Sequence, residues 1–297
     1  MNPGRRRREA AVRLGFAAAA LLAVVISAAI VLTLVGEAWR FASQVDPGLL
    51  LERGWFPRRD LYGIPTILAG TLTIAGIAMG VAAPLGLGSA IYLSEYAGTR
   101  TRALLKPALE VLAGVPSVVL GYFALQVISP SLVDPLCAGP TDPYTMGAAG
   151  IAVGILVMPL VASVAEDAMH AVPASLREAS YGLGARRRTT SLRVVLPAAV
   201  SGIVAAIILG ASRAIGETMV VAIAAGGLGG SLFSLNPCGP GQTMTAAMTA
   251  LATGSDQVRG AGLAFPSLYF VGLLLFAITL GLNVAAGRIV HRLRERY

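Results

Sequence analysis

Charge is what this sequence has least of for its length. Asp, Glu, Lys and Arg make up 13% of 297 residues, against 56% hydrophobic residues and a mean hydropathy of +0.74. A soluble chain of this size needs a charged shell, and the residues to build one are missing. Lysine is scarcer still, with Lys106 the sole example. No G-x-x-x-x-G-K-[ST] can be written around it, so ATP hydrolysis through a P-loop of this chain is excluded. Histidine is limited to His170 and His291, far apart and without cysteines at zinc spacing, which argues against a metal site.

What is present in abundance is apolar sequence in long runs. About 20 residues cross roughly 30 Å of hydrocarbon at ~1.5 Å per residue. Runs of that kind predict spans over 14–35, 64–93, 107–129, 144–165, 198–226 and 262–286. The first follows Arg5, Arg6, Arg7 and Arg8, but its apolar core from Leu14 to Val35 is too long for a signal peptide, so an uncleaved helix is expected. Pro84, Pro116 and Pro159 lie inside spans and are expected to kink them or interrupt their hydrogen bonding. Gly76 with Gly80, and Gly150 with Gly154, form small-xxx-small pairs suited to close helix packing.

The formal charge of +8 and pI near 10.1 raise nucleic acid as a partner, and the placement of the charges argues against it. Basic residues gather at the amino terminus, at Arg100, Arg102 and Lys106, at Arg177, Arg186, Arg187, Arg188 and Arg193, and at Arg288, Arg292, Arg294 and Arg296. The alternate loops hold only Arg40, Arg53, Arg58, Arg59 and Arg259, and carry Glu37, Asp46, Glu52, Asp60, Asp134, Asp142 and Asp256. The positive-inside rule then places both termini in the cytoplasm.

Arg213 and Glu217 are the only charges deep in the fifth span; four residues apart, they fall on one face of a continuous helix. An unpaired Arg at mid-bilayer costs about 2.5–3.5 kcal/mol on insertion scales, so it faces protein or water. The residues alone leave two readings, an internal salt bridge that orients the helix or a transport site. Glu110 and Glu95 read as structural partners of nearby arginines. The segment from Glu166 to Ala185 reads as a short helix opened by Pro173 and stopped at Gly182 or Gly184.

Within that segment, Glu178-Ala179-Ser180, then Gly184, then Val194-x-Leu196-Pro197 resembles the EAA signature of binding-protein-dependent ABC importer permeases. The resemblance implies an all-α, type I importer permease with six transmembrane helices. Glu178, Ala179, Ser180, Gly184, Leu196 and Pro197 would then serve coupling to an ATPase subunit. Three further stretches, Pro84–Tyr96, Leu112–Phe123 and Ser212–Met219, look like phosphate importer permeases, the last closer to the PstC-type subunit than to its PstA-type partner. Resemblance covers about residues 62–287, preceded by a tail, first helix and outer loop over 1–61 and followed by a basic tail over 288–297.

It implies a second, homologous permease, an ATPase dimer that uses the ATP, an external phosphate-binding protein and membrane lipid as partners, with no cofactor in this chain and no nucleic acid. Arg213 becomes the oxyanion contact, since its planar fork matches two phosphate oxygens. Glu217 becomes a group able to accept the proton of hydrogen phosphate, which sulfate lacks. Ser117 and Thr218 are further hydroxyl donors, although Ser and Thr inside helices commonly bond their own backbone. Other readings are a permease for molybdate or sulfate, a secondary transporter working alone, and a membrane scaffold.

Cys137 and Cys238 fall in two loops on the outer side, in the settings Cys-Ala-Gly-Pro and Cys-Gly-Pro-Gly. An oxidising compartment favours a disulfide between them, the alternative being two thiols whose loops never meet.

Overall fold

The computed structural model describes residues 3–137, 142–226, 230–254 and 262–293. Asp256, Arg259, Arg294, Arg296 and the Ala138–Pro140 sequence beside Cys137 fall outside the described residues, as do the side chains of Arg5–Arg8 and Arg292. Helix α1 spans Pro3–Gln44 and leads to a two-residue hairpin, β1 Trp55–Phe56 paired antiparallel with β2 Leu61–Tyr62. Then follow α2 Ile64–Ile91, α3 Thr99–Ala113, α4 Ser117–Leu136, α5 Met146–His170 and α6 Ala174–Gly182. The remainder comprises α7 Arg187–Ala198, α8 Val200–Gly216, α9 Met219–Ala224, α10 Met244–Thr253 and α11 Ala264–Leu293.

Helix α5 is the axis of the fold, with two thirds of its most apolar stretch buried by its neighbours. It runs parallel to α2, and glycines let the two backbones approach. A Cβ on Gly150 would stand 2.7 Å from Ile77, and one on Gly154 would stand 2.8 Å from the Ala78 carbonyl. The Gly150–Gly154 pair therefore packs inside the chain, as its spacing predicts. Gly76 and Gly80 have nothing near them and face away from the rest of the chain. Helix α8 returns along α5 in the opposite direction, with Gly210 against Val157 and Val161. Helix α1 lies at the periphery, its apolar stretch unburied by the protein. Only its last turns join a core, where the Phe41 ring meets Tyr62 edge-on at 5.1 Å and Phe270 at 5.2 Å.

Among the described residues, five helices are long and apolar enough to cross a membrane, and α7 with α8 make a sixth only as one span bent by 71°. Two expected boundaries change. The third span begins at Ser117 and not at 107, because Pro116 forms its N-cap and Gly114 closes α3 before it. Residues 99–113 form a separate amphipathic helix with no buried residue. Between the fifth and sixth spans, α10 is an apolar, largely buried helix where a loop was expected. Helices α2 and α5 run through Pro84 and Pro159 without a break. The hairpin packs into the same core as α10 and α11, and α11 continues to Leu293.

The two ends of the bundle are held differently. At one end Cys137 and Cys238, 101 positions apart in the sequence, form a disulfide with Cα atoms 5.9 Å apart. The segment around Cys238 also caps α5, since Met146 N–H donates to Gly239 O at 3.0 Å and Gly147 N–H to Pro237 O at 2.8 Å. These are orphan donors of a helix start, which inside a membrane protein must find partners. At the other, arginine-rich end, Glu166 is only 1% exposed; it accepts from Arg102 and, at 2.7 Å, from Lys106. Lys106 also reaches Asp167 at 3.0 Å, and Arg102 meets His170 Nδ1 at 3.4 Å.

Candidate functional site

Arg213 lies in the last turn of α8, and the helix ends three residues later at Gly216. Glu217 has left the helix, with φ −68° and ψ 131°, and the chain resumes as α9 at Met219. The expectation that Arg213 and Glu217 share one helical face is therefore corrected: the backbone breaks between them. Gly216 provides a weak point, and distant groups complete the break. The freed Glu217 carbonyl accepts the Thr245 hydroxyl at 2.8 Å, while Thr218 Oγ1 turns back to Gly216 O at 3.3 Å. A bare carbonyl at that depth would cost several kcal/mol, on the order of a lost hydrogen bond in hydrocarbon.

Among the described residues, neither the Arg213 guanidinium nor the Glu217 carboxylate has an ion-pair or hydrogen-bond partner, and the two are not bridged to one another. Arg213 is exposed on the bundle's flank and Glu217 is half-buried. Ser117, half-buried, opens α4, whose first turns pack on α9; a Cβ on Gly121 would stand 3.0 Å from Ile223 and 3.2 Å from Val220. Ser117 thus sits on the helix that packs on the far side of the break. Beside Arg213, Ser212 donates to Asn283 Oδ1 of α11 at 3.1 Å, a polar pair the sequence did not single out. No group of three or more His, Cys, Asp or Glu among the described residues is arranged to hold a metal ion.

A second element comes to the break from the disulfide end. Residues 241–247 are buried, and their backbone presses on α2 so closely that a Cβ on Gly70 would lie 2.3 Å from Gln242 O. Met244 N–H donates to Thr71 Oγ1 at 3.0 Å, and Thr71 donates to Ile67 O at 2.7 Å. The segment therefore dips inward from Cys238 to Thr245 and climbs back out as α10. Thr71, Gln242, Thr243 and Thr245 were not anticipated; the cluster Gly-Gln-Thr-Met-Thr opening an Ala-rich stretch was the available signal.

At the arginine-rich end, α6 has the form read from the sequence. Pro173 is its N-cap, and it stops in a left-handed turn with Gly184 at φ +76°. Gly184 N–H bonds Tyr181 O at 2.9 Å and Ala185 N–H bonds Ser180 O at 3.1 Å, which satisfies the terminal carbonyls. One face of α6 is anchored inward. Arg177 donates to Glu95 at 3.0 Å, to Met169 O at 2.9 Å and to Val172 O at 2.7 Å, so it neutralises a buried carboxylate and caps the end of α5 together. Ser180 meets Thr190 at 2.9 Å. Glu178, Ala179, Tyr181 and Leu183 face outward, Leu183 being 90% exposed. Leu196 packs against a core cluster, and exposed Pro197 immediately precedes the 71° bend at Ala199. At the bend Ala199 itself leaves helical geometry, with φ −89° and ψ 0°.

Comparison with known proteins places this geometry. The family model described as "Binding-protein-dependent transport system inner membrane component" matches residues 82–295. The chain is 34% identical over 280 residues to the phosphate transport system permease protein PstC of Haemophilus influenzae, covering 88% of this chain and 86% of that protein. It is 31% identical to the PstC of Mesorhizobium japonicum, covering 94% and 89%. Among solved structures, a bacterial ABC transporter involved in import of the polysaccharide alginate superposes with a TM-score of 0.66 at 14% identity, covering 98% of this chain and 100% of that one. The MetNI methionine ABC transporter in an inward-facing conformation gives 0.54 at 19% identity, covering 78% and 95%. The fold is thus that of ABC importer permeases, and the broken span, the outward face of α6 and the matched 82–295 region agree in one conclusion: the chain belongs to the binding-protein-dependent transport system inner membrane components, multi-pass permease subunits of ABC importers that are not themselves enzymes.

Proposed function

We propose that the chain is half of the translocation path of an ATP-driven phosphate importer, with phosphate passing Arg213 at the break in the fifth span. The observation that carries this reading is Arg213 itself: a guanidinium with no ionic partner among the described residues, the only basic residue deep in the span, one turn before the backbone opens. Free N–H donors in a planar fork suit a doubly accepting oxyanion. The names carried by the PstC relatives support phosphate as that oxyanion. Glu217 supplies selectivity, accepting the hydrogen-bond proton that hydrogen phosphate carries and sulfate does not. Thr218 and Ser117 border the same break.

Basic and acidic loops support an orientation with both termini and α6 in the cytoplasm. There the exposed ridge of α6, from Glu178 to Leu183, seats on an ATPase subunit that hydrolyses the ATP. Closure of two such subunits pulls α6, and the Arg177 anchorage passes that pull to α5. A second, homologous permease completes the path, and an external phosphate-binding protein delivers the anion to the disulfide end.

Uptake of phosphate into sealed vesicles containing the assembled complex tests the reading, with and without ATP and with sulfate as competitor. ATP-dependent uptake is expected, and Arg213→Ala is expected to abolish it while the complex still assembles and hydrolyses ATP. Uptake that survives Arg213→Ala would return that residue to a structural role. An assembled, ATP-hydrolysing complex that takes up sulfate or molybdate but no phosphate would overturn the substrate assignment.

A further inference from the structure

A hydrogen-bonded relay reaches Glu217 from α10, and its direction follows from counting donors. Thr243 Oγ1 accepts Ala246 N–H at 3.1 Å as the N-cap of α10. The Thr243 and Thr245 hydroxyls are 3.0 Å apart, and Thr245 Oγ1 is 2.8 Å from Glu217 O. A carbonyl only accepts, so the one Thr245 proton goes to Glu217; Thr243 must then donate to Thr245. Every hydroxyl in the line gives one bond and takes one, an arrangement in which each bond polarises the next. Thr243 and Thr245 are both buried, out of reach of competing water.

The relay is seated on α2. Gly70 leaves room for the Gln242 backbone, and Thr71 fixes Met244. The tip of the inward-dipping segment thereby bridges α2 and the opened backbone of the fifth span. Without the Thr245 hydroxyl, Glu217 O would have no donor among the described residues, and the cheapest remedy is to rewind residues 217–218 into helix. Rewinding would rotate the Glu217 carboxylate away from its present direction.

We infer that Thr245 is the positioning residue that holds the fifth span open at Glu217, so that this carboxylate faces the anion path and discriminates the protonated oxyanion. The inference rests on the role given to Glu217 above, and the test separates the two. Thr245→Val removes the hydroxyl at constant shape, and Thr245→Ser keeps it. Both are placed in the assembled complex alone and together with Glu217→Gln, and phosphate KM, maximal uptake rate and phosphate-over-sulfate preference are measured in vesicles. Loss of one buried hydrogen bond corresponds to roughly a three- to tenfold change. Thr245→Val is expected to raise KM and lower the preference by that factor, with ATP hydrolysis by the complex retained. Thr245→Ser is expected to stay within about twofold of the parent, since it keeps the donor. In the Glu217→Gln background, Thr245→Val is expected to add nothing to the loss of preference. An undiminished effect there, or Val and Ser behaving alike, would overturn the inference and leave Glu217 as the selectivity group. A Glu217→Gln protein with unchanged preference would overturn the role of Glu217 and the positioning role with it.

Discussion

Arg213 and Gly70 show how single side chains decide what this membrane protein can do. A lysine at 213 keeps the charge but presents a compact ammonium in place of a planar fork. Arg213→Lys is expected to retain assembly and to lower phosphate uptake by about tenfold, equivalent to roughly 1.4 kcal/mol, through the lost second hydrogen bond. Uptake kinetics of the reconstituted complex would register it, and parental kinetics would mean that charge alone matters at this position. Gly70 acts by absence. A methyl group there would meet Gln242 O at 2.3 Å, backbone against backbone, with no flexible side chain to yield. Gly70→Ala is expected to cost about 1–3 kcal/mol as overpacking and to dislodge the segment that carries Thr245. A thermal-shift measurement in detergent reads the first effect, and loss of phosphate preference reads the second.

Among the elements, α3 is the one whose attachment is mostly ionic. It buries no residue, and Arg102 and Lys106 tie it to Glu166 and Asp167 at the end of α5. Glu166→Ala is expected to loosen α3, speeding backbone hydrogen exchange over residues 99–113 by at least about tenfold, with α5 itself protected as before. The Lys106 pKa is raised above its ordinary 10.5, chiefly by its hydrogen bonds to Glu166 and then Asp167. A raised lysine pKa stabilises the folded form at and below the unfolded value and loses that contribution as pH rises through the folded one. A spin-label distance between α3 and α5 is therefore expected to hold constant from neutral pH to 10.5 and to lengthen only above it. Elements of this kind also mark how far the sequence could be read. Long apolar runs announced α1, α2, α5 and α11, and Pro173 with Gly184 announced α6 as a short capped helix. The break at Glu217 was hidden because only Gly216 weakens the helix locally, while the Thr245 donor lies 28 residues away. Helix α10 was hidden because a ten-residue helix, however apolar, falls short of a span and passes for a loop. Glu166 reads as one more charge in a basic loop until the fold brings Arg102 and Lys106 to it.

At the scale of the whole molecule, the disulfide closes a loop of 101 residues that includes α5, α6 and all of the broken span. Reduction is expected to lower stability by about 2–5 kcal/mol, seen as a lower unfolding midpoint in detergent with dithiothreitol, and Cys137→Ser with Cys238→Ser is expected to reproduce it. The loss should concentrate at that end, because Gly239 O and Pro237 O cap α5 from beside Cys238. An unchanged midpoint would mean that backbone caps and packing alone hold the segment. Covalent bonding at one end and ion pairs at the other have a mechanical outcome. Sulfur–sulfur and backbone bonds do not slide, and Arg102, Lys106 and Arg177 hold buried carboxylates that are costly to leave unpaired, so a pull at this end carries α3, α5 and α6 together. With the disulfide end fixed, displacement under such a pull is expected to grow with distance from Cys137, like the swing of a door measured from its hinge side. The widest travel falls to α6, the part furthest along the lever.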